Sequence, residues 1–170
     1  ELRPFYWQNK KRINIYGNLR TINFLKKRHD YCFKTAKGYP AIVKANIIKK
    51  KFSVGKSSEK ISFQAFQVKH GSINNNAYIF ENIAYINDCN DLSIVKNNKL
   101  KNLKFLILDC CKITKHPTHF CLDESLYVHN HLKPKKTILT NLHQDLDYEI
   151  LLRKLPKNVV PAYDGLEIIL

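Results

Sequence analysis

The sequence contains no methionine, no Cys-x-x-Cys pair and no long apolar run. Without methionine, translation cannot begin within the chain as written, so we expect Glu1 to follow residues of a longer protein. The five cysteines are odd in number and show no Cys-x-x-Cys spacing. This pattern argues against a cysteine zinc site or a disulfide framework and favours a reducing cytoplasm. No segment approaches the ~20 apolar residues that cross a bilayer, and no signal-peptide core is visible, so we predict a soluble protein without a membrane role.

Arginine is also scarce, since only five of the 29 basic residues are arginine. The net charge of +15 is compatible with a nucleic-acid-binding module, although readers of phosphates and base edges favour the forked guanidinium group. The lysines are spread along the chain, and the abundance of asparagine and isoleucine indicates a bias in codon usage. We therefore treat the charge mainly as a hint of an anionic substrate and keep a nucleic-acid partner as the alternative.

The chain is long enough for one domain, and no linker or repeat divides residues 1–170. Apolar periodicity predicts strands at 12–16, 41–48, 61–68, 105–108 and 137–140, helices at 19–28, 123–132 and 147–155, and hairpins at 77–86 and around 164–165. Strands dominate the first half, and strands alternate with helices in the second. This order predicts an α/β (α+β) fold in which helices pack against a mixed sheet.

Polar residues that suit catalysis lie at the ends of predicted strands. His70 ends a strand and precedes Gly71, where the backbone can turn sharply; it is either a metal ligand or a histidine bonded to a backbone carbonyl. Asp88 ends the next hairpin and is either a carboxylate that bridges two cations or the acceptor of an Asx turn.

Three further histidines complete the candidate set. His116 and His119 flank a proline ahead of a helix, where they either contact a substrate phosphate and protonate a leaving oxygen or belong to a helix cap near Thr118. His143 follows a strand and is a candidate ligand oriented by Asp145 or Asp147, unless these acids only cap the next helix.

These corners belong to a series of ordered motifs. The segments are 66–71 (FQVKHG), 84–88 (AYIND), 109–119 (DCCKITKHPTH), 139–148 (LTNLHQDLDY) and 161–168 (PAYDGLEI), with ELRPF at the start. Together they resemble the metallo-β-lactamase superfamily, in the branch that contains phosphoribosyl cyclic phosphate phosphodiesterase. The resemblance extends over essentially the whole chain.

The resemblance implies a four-layer αββα sandwich and a phosphodiesterase that uses water activated by two divalent metal ions, zinc or manganese. It implies His70, Asp88 and His143 as metal ligands, with Asp88 also catalytic. His119 would be catalytic and would bind a small phosphodiester substrate together with His116.

Two features of the chain depart from the family pattern. Asn141 stands where the pattern usually has histidine, and the His-x-His-x-Asp-His motif is absent and would precede Glu1. We therefore expect residues 1–170 to be the C-terminal portion of one domain whose sandwich is incomplete. Such a fragment should be inactive alone, bind metal weakly, and either form a homodimer or associate with its missing N-terminal piece. An RNA-processing nuclease of the same superfamily is a further alternative.

Overall fold

The computed structural model describes residues 2–55 and 59–169. The helices are α1 (Arg3–Asn9), α2 (Leu19–Arg28), α3 (Asp30–Phe33), α4 (Leu122–Leu132) and α5 (Tyr148–Lys154). The strands are β1 (Ile13–Gly17), β2 (Val43–Ile47), β3 (Lys51–Val54), β4 (Ile61–His70), β5 (Ile73–Phe80), β6 (Ile83–Ile86), β7 (Phe105–Asp109), β8 (Lys136–Thr140) and β9 (Val159–Pro161). Short 3-10 helices lie at Leu92–Lys96 and Asn98–Leu100. The predicted mixed α/β class is confirmed.

The chain divides into two compact units, residues 1–52 and 53–170. The single domain predicted over residues 1–170 stays a prediction. Among the described helices, the longest is α4, whose eleven residues are too few to cross a bilayer.

The first unit is built on a parallel pair of strands, β1 and β2, which pair from Ile13↔Val43 to Gly17↔Ile47. The chain crosses between them through α2 and α3. Helix α2 begins where the sequence predicts it, because the Asn18 side chain accepts a hydrogen bond from the Thr21 N–H at 2.9 Å. Its Ile22 is buried in the core of this unit.

The second unit contains a sheet in the order β3-β4-β5-β6-β7-β8-β9. Strands β4, β5 and β6 are antiparallel neighbours, whereas β6, β7, β8 and β9 run parallel. Two reversals of direction therefore give β4 the same direction as β6. As a result, the carboxyl ends of five strands, β4, β6, β7, β8 and β9, meet at one edge of the sheet.

The two predicted hairpins have different outcomes. Glu81 and Asn82 adopt φ values of 45° and 63° between β5 and β6, and the predicted tight hairpin is confirmed. The hairpin predicted at 164–165 is wrong for the described residues, because β9 pairs in parallel with β8 and no described strand follows it. Gly165 still supplies the turn, with φ 92°.

The core of the second unit lies between the sheet and α4. Leu106 and Leu108 of β7 are fully buried and belong to one cluster with Phe120 and Val128. The buried polar groups there are hydrogen-bonded, as burial requires: His129 Nδ1 lies 2.8 Å from Thr137 Oγ1, and burial lowers the pKa of His129.

Two cysteines of this unit lie in its buried interior, Cys89 in the cluster with Leu106 and Cys110 in a second cluster with Leu139. Cys89 and Cys110 are fully buried, and burial raises the pKa of each thiol to about 12. Both are therefore neutral at physiological pH and act as small apolar residues rather than nucleophiles.

We expect Leu106→Ala to lower the free energy of unfolding by about 2–5 kcal/mol, because it leaves a cavity beneath α4. Urea unfolding followed by circular dichroism measures this change. The matched control is Leu92→Ala, since Leu92 is 37% exposed. Equal losses in the two variants would contradict the assignment of this core.

Candidate functional site

The candidate residues meet at the edge where five strands end. His70 is the last residue of β4, Asp109 is the last residue of β7, and Asn141 directly follows β8. Asp88 lies two residues beyond the end of β6. The carboxyl ends of parallel strands are the usual place for a ligand site in an α/β sheet, because loops there can approach one another without interrupting the ladder.

Asp109 is the central residue of this edge and is fully buried. Its Oδ2 accepts hydrogen bonds from the Cys89 N–H at 3.0 Å and from His119 Nδ1 at 2.8 Å. Its Oδ1 accepts from Asn141 Nδ2 at 3.0 Å. A buried carboxylate needs such donors to offset its lost hydration, so Asp109 joins segments that are far apart in the sequence.

His119 is oriented by this carboxylate. The 2.8 Å contact with Asp109 requires a hydrogen on Nδ1, so the neutral ring carries its lone pair on Nε2. Asn141 Nδ2 lies 3.2 Å from the same Nδ1, but its shorter contact with Asp109 Oδ1 is the hydrogen bond. The fixed carboxylate of Asp109 therefore orients the His119 ring through Nδ1 and leaves Nε2 as its second nitrogen for another partner.

Asp88 lies beside this pair and is more exposed, with 42% of its side chain accessible. Its Oδ1 lies 3.8 Å from His119 Nδ1 and 3.5 Å from Asn141 Nδ2. It has φ 51°, a left-handed conformation that turns the chain sharply after β6. The cluster of Asp88, Asp109, His119 and Asn141 is hereafter called the carboxylate–histidine cluster.

His70 and His116 both lie against His119. The His70 and His119 ring centroids are 4.6 Å apart, and those of His116 and His119 are 5.1 Å apart. His70 Nδ1 is 2.8 Å from the Thr118 carbonyl oxygen, as in the backbone-bonded alternative, which leaves its Nε2 for another role. Thr118 does not cap α4, whose N-cap is Cys121 with Glu124 completing a capping box.

His143 contacts a different acid, Asp145. Its Nδ1 lies 2.7 Å from Asp145 Oδ1, and this hydrogen bond lowers the pKa of Asp145. Asp147 instead caps α5 by accepting from the Ile150 N–H at 2.9 Å. The side chain that reaches Asp88 and Asp109 from this corner is Asn141, with φ 65°. The role of His143 as a ligand stays a prediction.

Three residues that were not among the predicted site residues lie at or beside this edge: Tyr85, Tyr163 and Asp164. Burial and the negative charges of Asp88 and Asp109 raise the pKa of Tyr85 on β6, so its phenol remains a hydrogen-bond donor. An open cleft of about 370 Å³ adjoins Asn141 and is lined by Tyr163 and Asp164, which follow β9. This polar cleft shares Asn141 with the carboxylate–histidine cluster and can receive a small polar molecule.

A metal ion in a protein needs several donor atoms that converge on one point. Within residues 2–55 and 59–169, no group of three or more His, Cys, Asp or Glu side chains is arranged to hold a metal. Near Asp88, the neighbouring carboxylate and imidazole are engaged with each other rather than converging on one point. The residues as arranged therefore do not fit a complete metal centre, which usually needs at least three protein donors.

The sequence matches the profile of a family described as the beta-lactamase superfamily domain over residues 1–141. The chain belongs to the metallo-β-lactamase superfamily. No protein of curated function matches the sequence.

Solved structures of this superfamily share the fold. A diphosphatase of the PhnP family is 30% identical with a TM-score of 0.76, over 92% of this chain and 57% of its own. The metallo-β-lactamase fold protein YhfI from Bacillus subtilis is 15% identical with a TM-score of 0.65, over 90% and 63%. The short form of human tRNase Z is 16% identical with a TM-score of 0.55, over 92% and 66%. The chain thus spans less than two thirds of the length of these proteins.

Substitution of Asp109 tests whether its buried carboxylate holds this edge of the metallo-β-lactamase superfamily fold together. We expect Asp109→Ala to lower the free energy of unfolding by about 1–3 kcal/mol for each buried donor that loses its partner, the Cys89 N–H first. NMR of the imidazoles should show at the same time that the His119 ring loses its fixed tautomer. The exposed Asp123→Asn is the control, and an equally small effect of both variants would exclude a central role for Asp109.

Proposed function

We propose that this chain forms one wall of the active site of a hydrolase that cleaves a small phosphodiester. The carboxylate–histidine cluster, assembled at the carboxyl ends of adjacent strands in a metallo-β-lactamase fold, is the observation that carries the proposal. The likeness to a diphosphatase supports a reaction at phosphorus.

His119 is the residue to which we assign proton transfer. With Asp109 accepting from Nδ1, a protonated ring can donate its Nε2 proton to the leaving oxygen, and the buried carboxylate stabilises the imidazolium in that state. His116, whose ring contacts that of His119, is assigned to binding the substrate phosphate. A water molecule forms the new phosphorus–oxygen bond and releases one proton to solvent, while the proton from His119 neutralises the alkoxide as the ester phosphorus–oxygen bond breaks.

Two divalent ions, zinc or manganese, are the cofactors that we propose for the complete enzyme, with His70, Asp88 and His143 among their ligands. The described residues do not fit a complete centre, so metal binding needs donors additional to the carboxylate–histidine cluster. For the same reason we propose that the 170-residue chain alone is inactive.

We expect the natural protein that contains residues 1–170 to hydrolyse bis(p-nitrophenyl) phosphate, and we expect a chelator to inhibit this reaction. Asp88→Ala should abolish turnover, and His119→Ala should lower kcat by about 10²–10⁴-fold, the usual contribution of a general acid. The control is His131→Ala, because His131 lies exposed on α4 and bonds only within its own helix turn. Turnover that survives Asp88→Ala or the chelator would refute the proposal.

Metal content gives a separate test on the 170-residue chain. We expect the purified, untagged chain to lose zinc or manganese on dialysis, because fewer than three donors converge among the described residues. Elemental analysis by mass spectrometry measures the retained metal. One tightly held zinc per chain after dialysis would show that the donor set rearranges into a competent site.

A further inference from the structure

Positive charge is concentrated in the first structural unit. Residues 1–52 contain 14 of the 29 basic residues but only two acidic ones, Glu1 and Asp30, so they carry +12 of the net +15. Asp30 is the single acid among the described residues of this unit, and Lys34 lies 3.6 Å from its carboxylate. A codon bias acting over the whole chain does not by itself explain this concentration of net charge in residues 1–52.

Helix α2 presents an aromatic ring among cations on its outward face. Ile22 and Leu25 point towards the core of the unit, and at 100° per residue the opposite face carries Arg20, Phe24 and Lys27. Phe24 is 57% exposed, and the Arg28 guanidinium carbon lies 5.4 Å from its ring centroid.

The same combination recurs on α1. Trp7, the only tryptophan of the chain, is 47% exposed, and Lys10 Nζ lies 4.6 Å from the centroid of its ring. Exposed rings interleaved with cations bind single-stranded nucleic acid, because bases stack on the rings while the cations neutralise phosphates.

We propose that the first unit binds single-stranded nucleic acid, with bases stacked on Phe24 and Trp7 and phosphates contacted by Arg20, Lys27 and Arg28. The high charge supplies affinity for a polyanion, and the two rings select unpaired bases over a duplex, whose bases are already stacked. A membrane surface would also attract the charge, but the outward face of α2 sets the single ring of Phe24 among Arg20, Lys27 and Arg28 and forms no continuous apolar stripe for insertion. This binding is independent of the proposed hydrolysis.

Binding is tested on the full chain with a fluorescein-labelled oligouridylate of about 16 nucleotides, by anisotropy at several salt concentrations. Stacking on Trp7 should quench the intrinsic tryptophan fluorescence, and this signal reports a single residue. Phe24→Ala and Trp7→Ala should each weaken binding by roughly 5- to 150-fold. The control is Tyr127→Ala, an aromatic that is 44% exposed in the second unit.

Charge is tested separately from stacking. Replacing Arg20, Lys27 and Arg28 together by glutamine should reduce the slope of log affinity against log salt by about 2. Replacing three exposed lysines of the second unit, Lys99, Lys101 and Lys135, removes the same charge and should leave the slope unchanged. Circular dichroism verifies that each variant is folded.

Three results would overturn the proposal. The first is the absence of salt-dependent oligonucleotide binding at low ionic strength. The second is binding that neither Phe24→Ala nor the triple substitution on α2 weakens. The third is tight association with phosphatidylserine vesicles without oligonucleotide binding, which would make the unit a membrane-surface element instead.

Discussion

The buried carboxylate of Asp109 determines the geometry of the candidate site. It binds the backbone after β6, the imidazole of His119 and the amide of Asn141, while its own backbone carbonyl accepts from Ser125 Oγ of α4 at 2.7 Å. A carboxylate with no access to water tolerates only an arrangement that supplies several donors. The loops at this edge are therefore tied to the helix layer as well as to one another.

The direction of the strands explains why these residues meet. One antiparallel excursion through β5 returns the chain to the direction of β4, and the connections to β7 and β8 keep that direction. His70 and Asp88 were recognisable as residues at strand ends, whereas the corner after β8 was predicted to contribute His143 rather than Asn141. The hairpin at 81–82 and the Asn18 cap were also predictable, because local turn and capping chemistry decides both.

Other features depend on contacts that local pattern does not encode. Asp109 ends a continuous apolar run, and the hydrogen-bond partners of its side chain lie 10, 20 and 32 residues away. The sequence feature that could have identified Asp109 is its position directly after a continuous apolar run, which is typical of a strand buried on both faces. After β8, a left-handed φ at Asn141 directs the side chain of Asn141 towards Asp88 and Asp109. Residue propensities alone cannot predict which of two polar residues in one turn, Asn141 or His143, adopts that conformation. The cap at Cys121 rather than near Thr118 is likewise set by Glu124.

The two units differ in net charge, and this difference bears on both proposals. The site edge presents Asp88 and Asp109, so a phosphodiester approaching it meets negative charge at short range. Each protonated histidine offsets at most one negative charge. A bound divalent cation carries twice that charge and is therefore more effective at reversing the local potential. The first unit carries its own surplus of positive charge, without paired carboxylates at comparable density. The proposed binding of an anionic polymer to the first unit therefore needs no cation, whereas the proposed hydrolysis of a small phosphate ester at the carboxylate–histidine cluster needs one.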